Sequence, residues 1–178
     1  MKTSLITLML ALSGFLLGCS QIKVSAYQKN EPKLVLENFF NGQLSASGIL
    51  KDRKGLVTRF FNVDIQASWQ DGVGTLVEDF IFDDGEKQQR IWTLTKISEN
   101  KYEAHAADVK RKTTIEVSGN SMFMEYVLIV PYNDSTIDIT IDDRMYLVNE
   151  HLLINESKMT KFGFSVGEIN LVIQHVNQ

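Results

Sequence analysis

Cysteine is almost missing from this chain: Cys19 is the only one among 178 residues. No intrachain disulfide can form, so the fold must rest on its core rather than on cross-links. Histidine is scarce too, with His105, His151 and His175 set far apart. Without a His-x-x-x-His or Cys-x-x-Cys spacing, no pattern supports a metal site, and no Gly-rich loop cradles a phosphate, so no cofactor is implied. A basic excess is also lacking. Eighteen Lys and Arg stand against 22 Asp and Glu, for a net charge of −4. No basic stripe is interleaved with aromatics, which argues against nucleic acid as a partner. The short run Lys110-Arg111-Lys112 reads as a solvated loop or edge. Beyond residue 17 no apolar run is long enough to suggest a membrane-spanning helix.

What is present begins at the N-terminus. Lys2 supplies a positive start, Leu5 to Leu17 is almost wholly apolar, and Leu16-Leu17-Gly18-Cys19 closes the segment. An apolar run of this length is too short to span a bilayer and suits the core of a signal peptide. The segment resembles a bacterial lipoprotein signal, with residues 1–18 removed and Cys19 lipidated. That resemblance implies a membrane partner engaged through an N-terminal acyl anchor, and more than one acyl chain makes such attachment stable. Ser20 stands where an aspartate usually signals retention at the inner membrane, so an outer-membrane, periplasm-facing location is expected. Loss of Lys2 with the signal leaves 17 basic and 22 acidic side chains, a net charge of −5.

Residues 19–33 are polar, contain Pro32 and show no sustained periodicity, which predicts a tether reaching on the order of 45 Å when extended. Residues 34–178 then suit one domain. Leu34 to Phe40 is a compact apolar cluster, predicted as a helical turn plugging one end. From Gln43 onward a period of two dominates. Val57, Arg59, Phe61, Val63, Ile65, Ala67 and Trp69 alternate with polar residues, Phe60 excepted, as a strand with one buried face does. Leu76, Glu78, Phe80 and Phe82 form a second such face. Met122, Met124, Tyr126, Leu128 and Val130 form a third, and Ile137 to Leu147 a fourth that includes Asp143. The last strand changes face near Gly167, as a bulge would produce. Turn signals recur at Lys54-Gly55, Asp71-Gly72, Asp84-Gly85, Glu99-Asn100, Gly119-Asn120, Asn133-Asp134 and Asn149-Glu150. About ten strands joined by short turns make an antiparallel meander, and closure removes the exposed edges. The expected fold is therefore all-β: an up-and-down, lipocalin-like barrel rather than a sandwich.

Charges that point into such a barrel carry the most information. Arg59, Glu78 and Asp143 lie on the inward faces, and a two-residue Asp71-Gly72 hairpin sets Ile65 opposite Glu78 and Arg59 opposite Asp84. These three, with Tyr126 and Trp92, are the candidate ligand-binding residues, forming a polar floor or mouth that orients a head group. The alternative is a structural salt bridge, since buried charges are normally paired. Gly163-Phe164-Ser165-Val166-Gly167 matches the nucleophile-elbow pattern, but it leads into alternating strand residues and only His175 follows as a partner. The adjacent pairs Asp83-Asp84 and Asp142-Asp143 point to opposite faces and cannot act together. No catalytic residue is assigned.

Several segments together resemble a family of uncharacterised proteobacterial lipoproteins, a domain of unknown function. They include Asp52-Arg53 with Gly55, Arg59-Phe60, Glu78-Asp79-Phe80, Asp83-Asp84-Gly85-Glu86, and Arg90 with Trp92. Gly119-Asn120, Asp142-Asp143, Met145-Tyr146-Leu147, Asn155 and Met159 to Gly163 continue the match in order. Arg144 replaces an expected tryptophan, and Lys110-Arg111-Lys112 a glycine-bearing segment. The family brings no established activity. Its genes often neighbour those for enzymes that modify membrane acyl chains, which implies a lipid connection by association alone.

Two roles follow as expectations. The first is a lipid-anchored barrel binding an apolar or acyl ligand. The second is a tethered accessory to an envelope protein partner or lipid-modifying complex, with a filled barrel. An enzyme acting on lipids stands third, for want of a catalytic set.

Overall fold

Alternation of apolar and polar residues becomes strand after strand in the computed structural model, which describes residues 21–176. A 3-10 turn (Val24–Tyr27) and one helical turn, α1 (Leu36–Phe39), lead into β1 (Gly42–Asp52), β2 (Val57–Gln70), β3 (Val73–Phe82), β4 (Lys87–Ser98) and β5 (Lys101–His105). Then follow β6 (Thr113–Ser118), β7 (Ser121–Tyr132), β8 (Ser135–Asn149), β9 (Leu152–Lys161) and β10 (Phe164–His175). Each strand pairs antiparallel with the next, and β1 also pairs with β10 from Leu44–His175 to Asp52–Gly167. The sheet closes into a ten-stranded barrel without an unpaired edge, as the edge argument requires.

β2 shows how alternation builds the wall. Phe61, Val63, Ile65 and Ala67 are buried while Asn62, Asp64, Gln66 and Ser68 face water; Phe60, which broke the pattern, is exposed. Asp71 and Gly72 both take positive φ, the geometry a two-residue hairpin demands. The expected register follows, with Trp69 opposite Gly74 and Ile65 opposite Glu78. The Trp69 ring lies against Gly74, where a Cβ would sit 2.7 Å from it. The register of β10 shifts between Ser165 and Gly167, the bulge expected near that glycine. Ser165 sits exposed on a strand after a hairpin turn, not on a strand-to-helix elbow.

The two ends of the barrel differ. At one end α1 buries Leu36 and Phe39 beside Phe40, and the Trp69 indole donates to the Phe40 carbonyl at 2.8 Å. Glu37 of the same turn accepts the Tyr102 hydroxyl at 2.6 Å and pairs with Lys96. The apolar cluster is thus the expected plug. The other end, the mouth, carries the β1–β2, β3–β4, β7–β8 and β9–β10 hairpins. Short β5 and β6 stop below the mouth, and the loop 106–112 fills the gap. It is stitched to β7 by Ile129 N–H donating to Asp108 O at 2.8 Å and Lys110 N–H to Val127 O at 2.9 Å.

Residues 21–33 depart from the extended tether expected of them. Val24 is buried, the Tyr27 ring lies 5.7 Å from Phe123 and 5.4 Å from Tyr146, and Gln21 donates to Asp142 at 3.1 Å. At Gly119, with φ +60°, the Tyr27 carbonyl occupies the space a Cβ would need. A few apolar anchors with distant partners hold this segment to the outer wall, and no local periodicity could announce them. The expectations for residues 1–20, Cys19 and its acylation included, lie outside the described residues.

Candidate functional site

A cavity of about 120 Å3 lies between the plug and the middle of the barrel. Leu36 and Phe40 floor it, and inward residues of β2, β3, β4 and β7 to β10 wall it, Val63, Leu76, Leu94, Met122, Met124 and Ile173 among them. One side is polar. Register alone assembles it: Glu78 on β3 opposes Arg90 on β4, Asp143 on β8 opposes Ser157 on β9, and Met145 opposes Asn155.

Asp143 is 5% exposed. Its Oδ1 accepts the Ser157 hydroxyl at 2.8 Å and an Asn155 amide N–H. Burial nevertheless raises its pKa above the ordinary aspartate value, with the Asn155 and Ser157 bonds and the Arg90 charge opposing. Arg90 turns its Nε and Nη2 to Asp108 Oδ2, at 2.9 and 2.8 Å, tying β4 to the gap-filling loop. Glu78 therefore has no salt bridge among the described residues, and it lines the cavity beside Trp92. Burial pushes its carboxyl up to about 7, offset in part by Arg90 and reinforced by the Asp143 charge. Burial likewise raises the Tyr126 hydroxyl. Tyr126 packs edge-on against Trp92 at 5.3 Å between ring centres.

Four of the five residues expected at a site, Glu78, Asp143, Tyr126 and Trp92, thus line one cavity. Arg59 does not. It sits at the mouth, six residues and roughly 20 Å along β2 from the position opposite Glu78. There its Nη2 binds Asp84 at 2.8 Å, as the hairpin register predicted, and Glu86 at 2.9 Å, while the guanidinium lies 3.7 Å over the Phe82 ring. Arg59 thus forms the salt bridge weighed as the alternative, and it stands at the mouth rather than on the chamber wall. Arg90, Asn155 and Ser157 were not among the residues expected at the site, although Arg90 and Asn155 stand in the segments that resemble the family. Arg90 alternates with Trp92 and Leu94, and Asn155 and Ser157 fall between Leu153 and Met159. Inward polar residues in such a run look like breaks in the pattern until the register is known.

The arrangement is a small apolar chamber with two acids, one already engaged cation and a tyrosine on one side. It can hold a slim apolar group and hydrogen-bond a polar end. Among the described residues no group of three or more His, Cys, Asp and Glu could hold a metal ion.

Comparison with known proteins supports the architecture. A family model described as a protein of unknown function, DUF3833, matches residues 13–175. The S-type phycobiliprotein lyase CPES of Guillardia theta is similar in structure, with a TM-score of 0.59 and 12% identity over 89% of this chain and 99% of that one. A DUF3598-family protein of unknown function from Nostoc punctiforme has a TM-score of 0.59 and 15% identity over 82% of this chain, which spans 51% of its length. At these identities the likeness is one of fold. No curated protein sequence matches the chain.

Proposed function

The chain belongs to the DUF3833 family of proteins of unknown function, and we propose that it is a binding protein whose barrel holds a slim apolar ligand of acyl type. The polar end of that ligand meets Glu78, Tyr126 and the Asp143 cluster. One observation carries the reading: an apolar chamber inside a closed barrel, with the salt-bridge-free Glu78 carboxyl turned into it. Barrels of this size either fill with side chains or hold one small ligand. A carboxyl left without a salt bridge in an apolar setting costs stability that packing alone would remove.

Ligand size follows from volume. At about 30 Å3 per water, 120 Å3 matches about four waters. That admits one unbranched chain segment, and Met122, Met124 and Met145 are adaptable enough to make further room. The barrel architecture shared with a phycobiliprotein lyase is compatible with a binding role. We further propose that Cys19 carries the lipid anchor, placing the barrel at the periplasmic face of the outer membrane. The signal-like segment ending at Cys19 supports this.

The test uses Trp92 in the chamber wall. Titrating a soluble form starting at Ser20 with a single-chain fatty acid should change tryptophan emission saturably, and Trp92→Phe should abolish the change. An unchanged emission at saturating ligand, or a change of the same size in Trp92→Phe, refutes the calyx. One observation favours a second reading: the chamber is smaller than the ~300 Å3 at which pockets for drug-sized ligands begin. On that reading the barrel is a scaffold, and the protein serves as an accessory to an envelope or lipid-modifying complex.

A further inference from the structure

The three most exposed large apolar side chains among the described residues are Phe162 at 89%, Phe164 at 76% and Leu56 at 66%. All three sit at the mouth, on the β1–β2 and β9–β10 hairpins. These hairpins are neighbours, because β1 pairs with β10 up to Asp52–Gly167. Arg53, Lys54 and Lys161 stand directly beside them and form no salt bridge among the described residues. Asp52 is the one acid at the β1–β2 turn, against Arg53 and Lys54, and its Oδ1 accepts the turn amides of Lys54 and Leu56 at 2.8 and 3.0 Å. The β3–β4 hairpin, which flanks β1–β2 on its other side because β2 pairs with β3, is different: its tip carries Asp83, Asp84 and Glu86, and Arg59 of β2 pairs with the last two.

We infer that these two hairpins dock the mouth of the barrel onto an anionic lipid surface. Aromatic and leucine tips enter the headgroup region, and the flanking cations meet the phosphates. The pairing of apolar tips with free cations selects this partner. A protein interface core is depleted in lysine, and a purely apolar tip would need no charge beside it. Single exposed apolar residues are ordinary on a protein surface, but three clustered on adjacent turns are not. The path of the N-terminal segment fits: it climbs the outer wall from Leu34 at the closed end to Gln21, which bonds Asp142 midway up β8. The inference goes beyond the calyx and stands whether or not the chamber holds a ligand.

The experiment places a tryptophan at the tip. The full chain carrying Phe162→Trp is reconstituted in vesicles of phosphatidylethanolamine and phosphatidylglycerol with brominated acyl chains, and a second protein carries Asp83→Trp. Emission of the unsubstituted chain is subtracted from both. The expected result is a blue-shifted emission for Phe162→Trp, quenched several-fold more than that of Asp83→Trp, with the quenching weakened on neutral phosphatidylcholine vesicles. Equal quenching of the two positions overturns the inference. So does a water-like emission from the tip that shifts only on adding envelope protein, which assigns the mouth to a protein partner. Quenching that is indifferent to headgroup charge overturns the role given to the cations. Because Phe162 is so exposed, the substitution leaves the fold intact, which circular dichroism will confirm.

Discussion

Replacing Glu78 by glutamine should make the barrel more stable, and only at high pH. An ordinary glutamate titrates near 4.5, whereas burial pushes Glu78 up to about 7. Between those values the folded protein keeps a proton that the unfolded chain has released. The unfolded state then binds fewer protons, so stability is full below about 4.5 and falls as pH rises toward 7. At about 1.4 kcal/mol per pH unit, the loss accumulated above pH 7 is about 3 kcal/mol. The Glu78→Gln amide keeps the shape and removes the titration. Urea unfolding should therefore give similar stabilities for the two proteins near pH 5 and a stability higher by about 3 kcal/mol for Glu78→Gln near pH 8. Asp143 is shifted in the same direction but is present in both proteins, so its contribution cancels to first order. Parallel stability curves from pH 5 to pH 8 would refute the reasoning, because they would mean that Glu78 is hydrated or paired after all.

Other perturbations probe the plug, the outer wall and the mouth. Leu36→Ala removes a fully buried side chain from the chamber floor and should cost about 2–5 kcal/mol in urea unfolding; a loss well under 1 kcal/mol would mean the plug does not pack the core. Gly119→Ala puts a Cβ on the Tyr27 carbonyl at a left-handed backbone position. It should release the segment before Leu34 and leave the barrel folded, seen as faster tryptic cleavage after Lys23 and Lys29. Unchanged cleavage rates would contradict the docking. Arg59→Met leaves Asp84 and Glu86 in water and the chamber untouched, so stability should fall slightly and ligand response should not change. A lost response to fatty acid in a folded Arg59→Met protein would return Arg59 to the site.

Much of the fold was legible because β strands of this kind announce themselves twice, by alternation and by turn chemistry. Asp71-Gly72 fixed the β2–β3 register residue by residue, which is why the Arg59–Asp84 pair could be named in advance. The same alternation exposed Glu78 and Asp143 as inward charges. It did not reveal that they share a chamber from which Arg59 is excluded, because that depends on how far each lies along the barrel. The partnership of Asn155 and Ser157 with Asp143 was hidden for a related reason: it becomes intelligible only across β8 and β9. Tyr27 and Val24 gave no signal at all, since their partners Phe123, Tyr146 and Gly119 lie about ninety residues away or more. The size of the chamber belongs to side-chain packing and is written in no single segment.

Native mass spectrometry of the soluble form starting at Ser20, purified from bacteria, bears most directly on the claim that the barrel binds a ligand. The account predicts a reproducible added mass at one per chain, releasable by denaturation and identifiable as a single-chain lipid or fatty acid. A clean apo mass that takes up nothing from a lipid extract would contradict it and leave the barrel as a scaffold.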